Sequence, residues 1–152
     1  MFKILLFIIS IGLFANTYNI EDLSKSLNIK KSFITKLKKN NIKTTNDFLL
    51  INKTSKDRAL NSQKYKLKIE KLMKIVNIFD LLRIKGVGPT AAKLLFKANV
   101  KTIRKFQTIN IKEVEKKLIE VNKKFNISPF TPNRENLDVW KSLALKLKII
   151  IL

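Results

Sequence analysis

The chain has 152 residues and carries 32 Lys and Arg against 11 Asp and Glu, a formal net charge of +21, with no His, no Cys and three Gly. Without thiolate or imidazole there is no cysteine nucleophile, no histidine general base, no disulfide framework and no Cys/His metal site. With 45% hydrophobic residues it can bury a full core, so it is not a disordered polycation.

The charge is almost all lysine, 28 residues against four arginines. Such a bias has a compositional source, as in an AT-rich coding sequence. The scarcity of carboxylates nonetheless leaves a surface that attracts polyanions or anionic membrane, whatever the origin of the bias.

At the N-terminus a single Lys3 precedes an unbroken apolar or small run from Ile4 to Phe14, and Ala15 stands before the polar Asn16-Thr17. This is the layout of a secretory signal peptide, with cleavage expected near Ala15 and a periplasmic or secreted product. The run is too short for a permanent anchor, which needs ~20 residues.

From residue 16 onward apolar residues recur at helical spacing, which predicts an all-α fold. Tyr65, Ile69, Leu72, Val76 and Phe79 form one stripe, and Ile111, Val114, Leu118, Val121 and Phe125 form another. Asn110 with Glu113 reads as a capping box. Thr131 reads as the cap of a last helix, with Pro132 at its first position, that buries Leu137, Trp140, Ala144 and Leu147. The chain also repeats itself. Asn41-Ile42-Lys43-Thr44 answers Asn99-Val100-Lys101-Thr102, Leu37 answers Leu95, and Phe48 answers Phe106. The expected organisation is a leader over 1–15, a degenerate helical unit over 16–57, and a second unit with C-terminal helices over 58–152, the two units packed as one domain.

The second unit holds the informative stretch, Asp80-Leu81-Leu82-Arg83-Ile84-Lys85-Gly86-Val87-Gly88-Pro89-Thr90-Ala91-Ala92. Glycine tolerates positive φ and leaves no Cβ between backbone and ligand, so Gly86-Val87-Gly88 predicts a tight turn with Val87 plugged into the core. Pro89 and Thr90 then open a helix whose first N–H groups and positive dipole end suit a phosphate oxygen. Lys93 and Lys97 share a helix face, and Lys85 and Lys101 are expected to flank the turn. In the first unit Asn28 and Lys30 replace the two glycines, which predicts a structural role there.

This pattern is that of the helix-hairpin-helix motif. From about Arg58 to Leu147 the chain resembles an uncharacterised bacterial family of helix-hairpin-helix proteins, domain of unknown function forty-three thirty-two, and the preceding half with its degenerate repeat also looks like that family. The carrying cues are Asn77 to Gly88, Ala98 to Thr102, Val121-Asn122, Ser128-Pro129 and Trp140. Where that family often has an acidic residue and an aromatic after the second glycine, this chain has Pro89 and Ala91.

The family itself implies no activity; the glycine turn and its lysines predict non-enzymatic, sequence-nonspecific binding of a duplex DNA backbone. Lys85, Gly86, Val87, Gly88, Pro89, Thr90, Lys93, Lys97 and Lys101 form the expected site, with no cofactor and no metal. For an exported protein the ligand would be DNA outside the cytoplasm, as for competence-type helix-hairpin-helix receptors. The alternative is a protein-interaction or envelope-structural module, resembling the exported helix-hairpin-helix subunit of photosystems. Helix-hairpin-helix glycosylases carry an Asp, sometimes a Lys, in a later loop, whereas positions 105 to 112 here hold no Asp or Glu. Asp80 is expected on the polar side of its helix, and Arg83 is a weaker phosphate ligand than the lysines.

Overall fold

Helix α5 (Ile69–Leu82) organises the molecule because its second half has no polar face to give to water. Residues 76 to 84 are buried without a break, including Phe79, Leu81, Leu82 and Ile84 at 0% exposure. With only Asn77 and Asp80 polar in that half, and both buried, the helix must be enclosed on every side. Helices α3 (Thr45–Leu50), α4 (Ser55–Tyr65) and α6 (Pro89–Lys97) pack directly on it. The computed structural model describes residues 15–152, so the expected leader lies, apart from Ala15, outside the described residues.

The remaining helices are α1 (Ile20–Leu23), α2 (Lys31–Lys39), α7 (Ile103–Thr108), α8 (Ile111–Phe125) and α9 (Arg134–Leu145). The fold is all-α. The only β-type pairing among the described residues is an isolated bridge between Asn19 and Thr44. A run of edge-to-face rings ties the two halves together: Phe33 meets Phe48 at 6.1 Å, and Phe48 meets Phe79 of α5 at 5.3 Å. Such pairs add about 0.5–1.5 kcal/mol each beyond their buried area.

The internal repeat is written in the backbone. Helix α2 over 31–39 returns as α6 over 89–97, and α3 over 45–50 returns as α7 over 103–108. Thr44 and Thr102 cap the third helix of each unit in the same way, each hydroxyl accepting the N–H three residues on. Asn41 and Asn99 both take the left-handed conformation after the second helix, with φ 59 and 66. Asn28, the counterpart of Gly86, has φ 52 where Gly86 has φ 92. Asparagine is among the few residues that adopt this conformation at modest cost, so the first unit keeps the turn without the glycine.

Several local expectations are corrected. Helix α9 begins at Arg134 under a capping box of Asn133 and Asn136, not under Thr131. The Thr131 hydroxyl instead accepts from Asn122 Nδ2 at 2.9 Å. Asn110 caps α8 by accepting from the Lys112 N–H, and Glu113 takes no part in that cap. Tyr65 ends α4 and so stands apart from the α5 stripe, although it is buried. Ile149 to Leu152 dock on the body: Leu152 donates to the Lys53 carbonyl at 2.8 Å, and its carbonyl accepts from Arg58 at 2.7 Å.

Candidate nucleic-acid interface

The turn between α5 and α6 is built from backbone bonds. Arg83 and Ile84 donate to the carbonyls of Asp80 and Leu81, and the Val87 N–H closes the turn on the Ile84 carbonyl at 3.0 Å. Gly86 sits between them at φ 92, where a side chain would be strained. Val87 is fully buried, as the alternation of the motif predicts. Tyr18 reaches over from the N-terminal segment, its hydroxyl 3.5 Å from the Val87 carbonyl.

Gly88 is the N-cap of α6, with extended backbone at φ −86 and ψ 176. A β-carbon there would meet nothing within 4 Å. Pro89 occupies the first helical position. Among the described residues, the N–H groups of Gly88, Thr90 and Ala91 have no acceptor. The turn therefore offers three donors without an acceptor at the positive end of a nine-residue helix, beside a half-buried glycine with room at its Cβ position.

The sequence profile of one protein family, described as a domain of unknown function (DUF4332), matches residues 27–147. The chain belongs to that family. The match takes in most of the first unit, all of the stretch from Arg58 to Leu147, and Trp140, in keeping with a resemblance that extends into the first half. No curated protein and no solved structure matches the chain.

In this DUF4332 protein the nine expected site residues separate into two groups. Lys85, Gly86, Gly88, Pro89 and Thr90 gather at the turn, with Val87 beneath it. Lys93 lies about 6 Å further along α6. Lys97 is at the far end of that helix with its Nζ 4.6 Å from the centre of the Phe125 ring, and Lys101 lies beyond the helix, 5.7 Å from the Phe96 ring centre. Helix α6 is about 13.5 Å long, so Lys97 stands apart from the turn, and Lys101 follows beyond the end of that helix.

Gly86 is enclosed on one side by a residue the motif did not implicate. Trp140 of α9, half-buried, places its indole nitrogen 2.9 Å from where a Gly86 β-carbon would stand. The two glycines thus differ in kind: Gly86 makes room for a neighbour within the fold, and Gly88 makes room for nothing the fold contains.

Asp80 is not on a polar face. It is 3% exposed, accepts the Ile103 N–H at the start of α7 at 2.9 Å, and pairs with Arg83 Nη1 at 2.8 Å. The other Arg83 nitrogen donates to the Lys148 carbonyl. Burial pushes the Asp80 carboxyl up, opposed by the Ile103 amide and by Arg83. Asp80 and Arg83 therefore staple α5 to α7 and the C-terminal segment, and Arg83 is withdrawn from the surface. The local Asp-x-x-Arg spacing was readable in the sequence, but the Ile103 amide that draws it inward was not.

Lysine is otherwise almost uncompensated. Among the described residues only Lys38, with Glu21, forms an ion pair through a lysine; the other two pairs are Asp80 with Arg83 and Glu115 with Arg134. No group of three or more potential metal-binding side chains occurs among the described residues. No helix among them is long and apolar enough to cross a membrane.

Proposed function

We propose that the protein binds the backbone of duplex nucleic acid without reading sequence, seating one phosphate on the free N–H groups of Gly88, Thr90 and Ala91. Lys85 and Lys93 supply the adjacent charge. The observation that carries this reading is the open space at Gly88 directly beside unsatisfied donors. Backbone contacts of this type position a duplex and carry no sequence information. The leader expected over residues 1–15 would place the protein outside the cytoplasm, with incoming or extracellular DNA as its ligand.

With Lys97 and Lys101 turned to aromatic rings, the turn itself neutralises about two to three phosphates. Its share of the logarithmic salt dependence of affinity is then about −2 to −3. The test is fluorescence anisotropy of duplex DNA over a salt series, comparing the native chain with Gly88→Glu. Gly88 has ordinary φ and free space, so this variant folds while placing a carboxylate where the phosphate would sit. Weaker binding with a shallower slope supports the reading; an unchanged titration rejects this face.

A second reading is favoured by Trp140 on Gly86. If the turn exists to pack α9, the domain is a non-enzymatic protein-interaction or envelope-structural module. A partner that co-purifies at salt concentrations that strip DNA would favour it, and a lone protein under those conditions would count against it.

A further inference from the structure

We propose that the groove between α2 and the α4–α5 junction is a docking site for an acidic amphipathic helix of a partner protein, separate from the Gly86–Gly88 turn. This goes beyond the nucleic-acid reading and stands or falls apart from it. The groove has a volume of about 490 Å³ and opens beside Asn28, Ile29 and Lys30, the first unit's counterpart of the glycine turn. Six lysines line it, Lys30, Lys36, Lys66, Lys68, Lys71 and Lys74, with no Asp or Glu among the lining residues. Lys36 donates to the Tyr65 carbonyl; the other five have no ion-pair partner among the described residues. An anion is the complement of such a wall.

The lining also decides which kind of anion. Leu27, Leu67 and Ile75, each half-buried, contribute apolar surface, for which a bare phosphate backbone has no use. Single-stranded bases would need an open aromatic face. The two rings present, Phe33 and Tyr65, are 6% and 3% exposed. A lipid brings one headgroup to six cations. A helix with one apolar stripe and acidic flanks uses both features, which is the helix-in-groove mode. Lys68, Lys71 and Lys74 advance along α5 by about 4.5 Å per step, close to the spacing of carboxylates three or four residues apart on a partner helix.

Lys66, the left-handed C-cap of α4, adds a second sign. It is held at φ 52, and the other non-glycine residues of positive φ, Asn28, Asn41, Asn99 and Asn126, are all asparagine. A lysine in this conformation costs more than asparagine does, and strain of this kind collects at functional positions. Here it sets a cation at the groove.

The test is fluorescence anisotropy of the purified protein with a labelled peptide of about 18 residues, carrying Leu at i, i+3, i+4 and i+7 and Glu elsewhere. A scrambled peptide of the same composition is the reference. The patterned peptide should bind at least about tenfold more tightly than the scrambled one near physiological salt. Lys71→Glu with Lys74→Glu should remove that preference. Lys116→Glu with Lys117→Glu on α8, an equal change of charge at exposed positions, should keep it. Equal affinity for both peptides, or equal loss from both lysine pairs, would overturn the proposal. So would an oligothymidine strand or a phosphatidylglycerol vesicle that depends on Lys71 and Lys74 when the peptide does not.

Discussion

Trp140 stands against Gly86 so closely that its indole nitrogen would lie 2.9 Å from a β-carbon placed there. Gly86 is also at φ 92, so an alanine would meet both backbone strain and a clash. Gly86→Ala should lower stability by at least about 1–2 kcal/mol in urea or thermal unfolding. Trp140→Ala should also destabilise, through loss of packing. The double variant should be more stable than the two losses added together, because removing the indole removes the clash. Simple additivity would show that the contact does not constrain the turn. Gly88→Ala, with ordinary φ and open space, should change stability by less than about 0.5 kcal/mol.

The buried pair of Asp80 and Arg83 predicts an asymmetric response. Asp80→Ala leaves a guanidinium buried without its carboxylate and the Ile103 N–H without an acceptor, and should cost about 3–5 kcal/mol. Adding Arg83→Met removes the orphaned charge, so the double variant should unfold at a higher temperature than Asp80→Ala alone. A double variant as unstable as the single one would mean that the pair does not act as a unit.

Asp47 and Asp57 predict a pH dependence. Each closes a capping box, on α3 and α4 respectively. Burial raises the Asp47 carboxyl, but the Thr44 and Lys43 N–H groups and the Thr44 hydroxyl outweigh it and hold it below its ordinary value. The Thr54 hydroxyl and N–H hold Asp57 below as well. A carboxyl lowered in the folded state contributes in full above the unfolded value of about 4, and that contribution is lost as pH falls through the lower folded value. The native chain should therefore lose more stability on acidification from about pH 5 than Asp47→Asn with Asp57→Asn, measured by urea unfolding. Parallel curves would refute this. Asp80 moves the opposite way, which is why the comparison is made at these two positions.

The Tyr65 hydroxyl is buried and has no hydrogen-bond partner among the described residues. A buried unpaired polar group is a liability, so Tyr65→Phe should be neutral or stabilising by up to about 1 kcal/mol. The edge-to-face contact with Phe33 at 5.8 Å needs only the ring. A clear loss of stability would mean that the hydroxyl has a partner after all.

The all-α class, the repeat and the place of the turn are legible in the order of residues alone. Helical periodicity, the Asn and Gly positions and the Thr caps are local properties, set by backbone sterics and by side chains a few residues apart. Val87 in the core and Pro89 at the start of α6 follow from the same short-range rules. What stands around the turn follows from long-range packing. Trp140 is far from Gly86 along the chain, and no spacing in the motif announces that α9 brings the indole onto it. Asp80 looked like a surface residue because its partner is a backbone amide at Ile103, and any residue type could have supplied that group. Lys97 shares a short segment with the glycines, yet the length of α6 carries it away. The lysine groove escaped notice because its cations come from α2, the α4–α5 junction and α5, and long-range packing gathers what linear order keeps apart.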